Sequence, residues 1–304
     1  MSLITETMRD ELKKICRQIH FDEPMSHHTS IRIGGKADAF AYPETLEEVS
    51  GLLAYLRQKK LSYFPLGAGS NLIVRDGGIR GVVLSLTQGF SSLRLEDPAI
   101  LYIEAGVGLP RLIEFAVEKG LSGVEPLVGI PGNVGGALVM NAGTPEGDIG
   151  RIVLSVTFVD REGKIVTWER DKIRFDYRES HFPRGAILLS TRLQLELSTP
   201  EAVREKVEKI RQKRIQTQPL NVPNLGSVFK NPKKGYAARL IEESGLKDVR
   251  VGGARISPKH ANFIVNEGKA TARDVLALVG LIKDKVKERF GVMLELEAQV
   301  VGEE

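Results

Sequence analysis

Apolar side chains recur at Met8, Leu12, Ile15 and Ile19, a helical period that predicts an amphipathic helix over residues 5–19. The period then shortens. Residues 37–42 read as a strand, and Thr45 with Glu48 three positions on predicts a capping box that starts the next helix. Leu46, Val49, Leu52, Leu53 and Leu56 supply that helix's apolar face. Short strands follow at 62–65, 72–74 and 81–86, so this region alternates β and α in short parallel-type units. After Leu86 the pattern changes. Strands at 92–96 and 100–105 precede a helix opened by Pro110. Residues 151–160, 163–169 and 186–197 read as strands of a mostly antiparallel sheet.

Ser198-Thr199-Pro200-Glu201 starts a helix that runs to about Thr217, with Val203, Val207, Ile210 and Ile215 turned inward. Residues 218–226 hold two prolines and no period, so they form a connector, and the main domain boundary falls near residue 200. Beyond it lie a helix near 236–244, a strand at 261–265 and a long helix from Thr271 to Phe290. In the last strand, 292–302, Leu294, Leu296, Ala298 and Val300 alternate with Glu295, Glu297 and Gln299. No internal repeat is visible.

Composition narrows the class. The chain has 304 residues, 42% hydrophobic and 27% charged, which suits a globular protein of two or three domains. A net charge of +4 is too small for a nucleic-acid arm and suits an anionic small molecule. Cys16 is the only cysteine, so no intrachain disulfide can form and a cytoplasmic location is expected. No cysteine–histidine set has zinc spacing, and no metal is expected. The first 20 residues are rich in charge, and no apolar run reaches the ~18 residues of a membrane helix. Neither a leader, a membrane span nor an obligate protein partner is expected.

Two glycine-rich segments carry the strongest chemical signal. One is Gly67-Ala68-Gly69-Ser70-Asn71-Leu72; the other is Gly129-Ile130-Pro131-Gly132-Asn133-Val134-Gly135-Gly136-Ala137, running on to Asn141-Ala142-Gly143. Such segments expose main-chain N–H groups and let the backbone approach a ligand closely. A Walker A loop is absent. Gly67-x-Gly69 continues to Leu72 and Gly106-x-Gly108 to Arg111, so the Rossmann fingerprint fails twice. A different phosphate cradle remains, with further N–H groups from Gly132 to Ala137 at an expected helix start, where the helix dipole favours anions. Plain tight turns are the competing reading.

In combination these segments, with Phe64-Pro65-Leu66 ahead of the first, resemble the FAD-binding segments of the UDP-N-acetylenolpyruvoylglucosamine reductase family. That family's flavin domain is of the vanillyl-alcohol-oxidase/p-cresol-methylhydroxylase type. The resemblance runs from about His28 to Gly302. It implies an α+β fold: a two-lobed FAD-binding domain, one lobe small and α/β, the other a larger, mostly antiparallel sheet, followed by an α+β substrate domain. The implied limits are 1–88 for the N-terminal helix and first lobe, 89–199 for the second lobe and 200–304 for the substrate domain.

The same resemblance implies site residues. Gly226-Ser227-Val228-Phe229-Lys230-Asn231-Pro232 is similar to the family's catalytic-serine motif, which makes Ser227 the proton donor. Lys230 and Asn231 stand close enough to meet substrate. Asp176-Tyr177-Arg178-Glu179-Ser180 places the family's arginine on Arg178, beside Tyr177. A planar guanidinium can hold a substrate carboxylate through two hydrogen bonds. Matching Glu297-Ala298-Gln299-Val300-Val301-Gly302 selects Glu297 over Glu295 as the active glutamate. By residue type alone, Ser227 is a turn serine, Arg178 a surface cation and the glutamates a solvated strand face. The eight cations of residues 230–259 would suit a diphosphate. Arg178 is followed closely by the next strand, so the chain is similar to the type II members that lack a tyrosine-bearing insertion.

The implied reaction is hydride transfer from NADPH through FAD to the enolpyruvyl group of UDP-N-acetylglucosamine-enolpyruvate, giving UDP-N-acetylmuramate for peptidoglycan synthesis. Two alternatives stand beside it: an alcohol or sugar oxidase with the same type of FAD domain, and a non-catalytic nucleotide-binding module.

Overall fold

A computed structural model describes residues 2–304 as two compact units. Of the described residues, the first unit comprises 2–22, 38–68 and 81–212; the second comprises 23–37, 69–80 and 213–304. Neither is one continuous stretch of chain.

Helix α1 (Glu6–Ile15) opens the first unit, with the Thr5 side chain accepting from the Met8 N–H. It stops four residues short of the expected end, because Ile19 already belongs to the strand Ile19–Pro24. Helix α2 (Leu46–Gln58) buries Val49, Leu52, Leu53 and Leu56. Its N-terminus is half of the expected capping box. Thr45 Oγ1 accepts from Glu48 N–H, but the Glu48 carboxylate turns to Glu44 N–H at 2.8 Å. The strands here form a four-stranded sheet, ordered Ile19–Pro24, Lys36–Ala41, Ile79–Leu84, Tyr63–Pro65. The last pair is parallel.

The larger sheet of the first unit has five strands in the order Ile165–Glu169, Val153–Val159, Ile187–Gln194, Ile100–Glu104, Leu93–Asp97. All neighbours are antiparallel. The side chains of Leu101, Ile103, Val156, Phe158 and Leu193 alternate into a core shared with α3 (Leu109–Lys119). Gly120, at φ +64°, ends α3, since only glycine adopts that left-handed cap without a Cβ penalty. The short α4 (Val134–Val139) follows, and α5 (Pro200–Thr217) starts where the proline predicts. Val203 and Val207 of α5 are buried, but Ile215 is exposed, a correction to the inward face read from the spacing.

The second unit has its own core around Ile31, Ile73, Val228, Phe229, Ile256 and Leu278. Helix α6 (Ala237–Glu243) and helix α7 (Ala272–Phe290) pack there with the antiparallel strands Arg250–Val251, Ala254–Ile256 and Ile264–Asn266. Thr271 and Asp274 form a complete capping box at α7. The terminal segment is regular strand only over Gln299–Val301, where it runs parallel to Leu72–Val74. Residues 294–298 keep the alternation without the ladder, with Leu294 and Ala298 buried and Glu295 exposed. They pair instead with the Ser227–Lys230 segment through an isolated bridge between Leu296 and Phe229.

Candidate functional site

In the first unit the two parts of the glycine pattern come together. An atom in the Cβ position of Gly67 would lie 2.5 Å from Asn133 Oδ1. Only a residue without a side chain lets the two backbones approach so closely. Asn133 is buried and is the N-cap of α4, its Oδ1 accepting from Gly136 N–H at 3.0 Å. The segment is clamped to residues 105–109: Leu109 N–H donates to Gly132 O, Val134 N–H to Val107 O and Gly135 N–H to Ala105 O, at 2.8–2.9 Å. Gly129 and Gly132 have φ of +73° and +149°. The N–H groups of Gly67, Ala68, Gly129, Gly132 and Asn133 donate to no protein acceptor among the described residues. A rigid set of unspent donors with no side chains in the way fits the pyrophosphate of a dinucleotide. Ile130 and Pro131 lie at its surface, while Val134 and Ala137 face the core.

The rest of the first loop belongs to the second unit. Gly69, at φ +61°, passes so close to the His28 carbonyl that a Cβ would sit 1.9 Å from the oxygen. Ser30 N–H donates to Gly69 O at 3.1 Å, and Ser30 Oγ lies 3.4 Å from Ser70 O and 2.6 Å from Asn224 O. Asn71 Nδ2 donates to Glu297 O at 3.0 Å, and Asn71 O accepts from Gln299 N–H. Leu72 then opens its strand, buried.

Ser227 and Glu297 are neighbours in this unit. Gly226 turns the chain at φ +72°, with its N–H held by Asn224 Oδ1 at 2.8 Å. Glu297 N–H donates to Val228 O at 2.9 Å. On the other edge of the same segment, buried Asn262 accepts from Phe229 N–H at 3.0 Å and donates to Phe229 O at 2.8 Å. Ser227 and Glu297 are both partly exposed, as groups that meet a ligand must be. Glu295, two residues from Glu297, is exposed, and its carboxylate pairs with Lys230 Nζ at 2.6 Å. Asn231 Oδ1 accepts from Ala237 N–H at the start of α6. Sequence reasoning did not single out Ser30, Asn224 or Asn262; the side chains of Ser30 and Asn262 act on main chain that is remote in sequence, where nothing local marks the role, whereas Asn224 closes a local turn onto Gly226 N–H.

The basic stretch is largely neutralised. Arg239 pairs with Glu243, Lys247 with Glu242, and Arg250 with Glu267. Arg255 pairs with Asp248 and Glu267, which accounts for its guanidinium structurally. Lys233 and Lys234 have no ion pair among the described residues. His260 is packed on Phe263, its Nδ1 has no hydrogen-bond partner among the described residues, and burial pushes its pKa down. Cys16 is buried, which raises its thiol to about 11 and leaves it unreactive.

Arg178 stands in the first unit at the tip of a hairpin formed by Phe175–Asp176 and Glu179–Ser180. Its φ is +59°, and its guanidinium carbon lies 5.0 Å from the centre of the Tyr177 ring, which is itself 52% exposed. The Asp176 carboxylate is held below its ordinary pKa by hydrogen bonds from His181 and then Arg174. Asn141 and Gly143 do not lie along the open cradle but inside the unit, where both are buried. Among the described residues, no cluster of ligating side chains could hold a metal ion, and no helix is long and apolar enough to cross a membrane.

A glycine cradle on an antiparallel sheet, with an α+β unit carrying Ser227 and Glu297, is a flavoprotein-type architecture: residues 37–169 match the family model of the FAD binding domain. Residues 218–301 match that of the UDP-N-acetylenolpyruvoylglucosamine reductase C-terminal domain. The chain is 45% identical to UDP-N-acetylenolpyruvoylglucosamine reductase of Moorella thermoacetica, over 94% of each protein. It is 41% identical to the protein of that name from Caldanaerobacter subterraneus, over 99% of this chain and all of the other. The crystal structure of UDP-N-acetylenolpyruvylglucosamine reductase from Thermus caldophilus superimposes with a TM-score of 0.81 at 37% identity, covering 93% of this chain and 98% of that one. The chain belongs to the UDP-N-acetylenolpyruvoylglucosamine reductase family.

Proposed function

We propose that this chain is a cytoplasmic, FAD-containing, NADPH-dependent oxidoreductase that reduces the enolpyruvyl group of UDP-N-acetylglucosamine-enolpyruvate to UDP-N-acetylmuramate. Residues 1–88 and 89–199 would supply the flavin lobes and 200–304 the body of the substrate domain. Gly67, Ala68 and the 129–136 segment would hold the flavin dinucleotide through main-chain N–H groups, with Gly69, Ser70 and Asn71 completing that loop. FAD, when bound, supplies the hydride chemistry, taking hydride from NADPH and delivering it to the terminal carbon of the double bond. That addition leaves an electron pair on the carbon beside the carboxylate. Arg178 would bind the carboxylate and offset the enol-like charge, and Glu297, as the protonated acid, would donate a hydrogen bond to the enolate oxygen. Ser227 would deliver the proton to that carbon. Lys230 and Asn231, with Lys233 and Lys234, suit the substrate diphosphate, and Tyr177 its sugar end.

The observation that carries this reading is the pairing of the Ser227 segment with that of Glu297, joined by the hydrogen bond from Glu297 N–H to Val228 O at 2.9 Å. The two segments are remote in sequence and hydrogen-bond to one another, and both Ser227 and Glu297 are partly exposed. The test is anaerobic. NADPH should bleach the flavin bands of the purified protein, and the enolpyruvyl substrate should restore them. Ser227→Ala should keep the bleaching and lower product formation by about 100-fold or more. Loss of flavin reduction in that variant would overturn the serine's role. Rapid reoxidation by oxygen but not by the enolpyruvyl compound would favour the oxidase.

A further inference from the structure

Asn141 is 3% exposed, and its backbone sits in the left-handed region at φ +41°. Its amide is used at both ends on main chain from elsewhere in the first unit. Oδ1 accepts from Gly150 N–H at 3.0 Å, and Nδ2 donates to Asp176 O at 2.9 Å. Asp176 is the last residue before the hairpin tip that carries Tyr177 and Arg178. The other strand of that hairpin is tied to the same stretch of chain: Ser180 Oγ donates to Val139 O at 2.7 Å. The glycine segment thus grips both legs of the hairpin.

Gly150 is the hub of this grip. A Cβ there would lie 2.7 Å from Phe175 Cγ and 2.8 Å from Asn141 Oδ1, so no side chain can be accommodated. On its carbonyl side, Arg170 Nε donates to Gly150 O at 2.9 Å while Nη1 donates to Ile173 O at 2.9 Å. The same guanidinium lies 4.9 Å from the centre of the Phe175 ring. Arg178 itself is a non-glycine residue at positive φ, a conformation that persists only where the surroundings over-determine it. Asn141 and Ser180 anchor the two legs of the hairpin whose tip it occupies.

We propose that Asn141 is a positioning residue for Arg178, not a ligand of the dinucleotide, and that it couples the register of the glycine segment to the placement of the guanidinium. This rests on Arg178 acting on the substrate carboxylate. Asn141→Gly keeps the backbone conformation and removes both hydrogen bonds. Asn141→Asp keeps the acceptor for Gly150 and removes the donor to Asp176. Both should retain flavin and keep its reduction by NADPH within about twofold of the parent. Reoxidation by the enolpyruvyl substrate should slow roughly 10- to 100-fold, the cost of misplacing a reacting group by about an ångström. Amide exchange across residues 175–180 should accelerate in both. Ser180→Ala should act in the same direction with a smaller effect. In a double-mutant cycle Asn141→Gly should add little to Arg178→Ala, since its effect passes through that arginine. Loss of flavin from Asn141→Gly and Asn141→Asp alike, or additive effects in the cycle, would overturn the proposal. If Arg178→Ala alone leaves reoxidation unchanged, the reading of Arg178 fails instead.

Discussion

The glycine segment of the first unit and the serine–glutamate pairing of the second present chemistry by opposite means. In the first, the groups proposed to meet the ligand are main-chain N–H groups, with Val134 and Ala137 turned into the core and only Ile130 and Pro131 at the surface. Gly67 and Asn133 meet where a single methyl group would collide, and Leu109, Val134 and Gly135 lock the backbone in place. In the second, the backbone serves as frame. Val228, Phe229 and Lys230 spend their main-chain groups on Asn262, Glu297 and Glu295, and the chemistry we propose falls to the side chains of Ser227 and Glu297. A backbone site cannot be altered without moving the fold, whereas a side-chain site can be emptied one group at a time.

Emptying the side-chain site should have the largest effect. Glu297→Gln preserves shape and the main-chain bond to Val228 and removes the carboxylic acid that would share its proton with the enolate oxygen. We expect product formation to fall roughly 100- to 1000-fold, as for loss of one electrostatic stabiliser, with flavin content and flavin reduction unchanged. Parent-like turnover by stopped flow would exclude Glu297 from the chemistry and break the comparison on that side. Next in size is Gly67→Ala. The added methyl displaces the Asn133 cap, an overpacking cost of about 1–3 kcal/mol, or roughly 10- to 100-fold in flavin affinity. Titration of apoprotein with FAD measures this directly. Undiminished affinity would mean that the cradle tolerates a side chain and does not depend on close backbone approach.

The smallest effect concerns pH. His260 has its pKa lowered from the usual 6.5, chiefly by burial. The folded form therefore binds its proton less readily than the unfolded chain. Its contribution to stability is full above pH 6.5 and is lost as the pH falls from there toward the folded value. Melting between pH 7.5 and 5.5 should show a decline, and His260→Gln should flatten it by roughly 1–2 °C. An unchanged slope in that variant would assign the acid sensitivity to other groups.

What could be read in the sequence was what depends on near neighbours along the chain. The caps at Thr5 and Thr271, the stop at Gly120 and the start at Pro200 all lie where local geometry demands them. The errors arose where distant partners intervened. Glu48 abandons its capping box because Glu44 and Arg17 offer it N–H groups, and the terminal strand shortens because residues 294–298 bond to the serine segment instead of a sheet. Ile215 obeys the helical period but meets no core at that point.

The sequence by itself determined the glycine-rich backbone, the helices and the residue types from which a site could be built, because conformational preference and capping act over a few residues. Tertiary structure alone decided which groups are available. Glu295 and Glu297 have the same chemistry two positions apart; an ion pair with Lys230 occupies the first, and a main-chain bond ties the second to the segment that carries Ser227. Likewise only the folded chain turned Asn141 from the open cradle toward Gly150 and Asp176. Hydrogen bonds and ion pairs form by proximity in space, and that proximity exists only once both cores have packed.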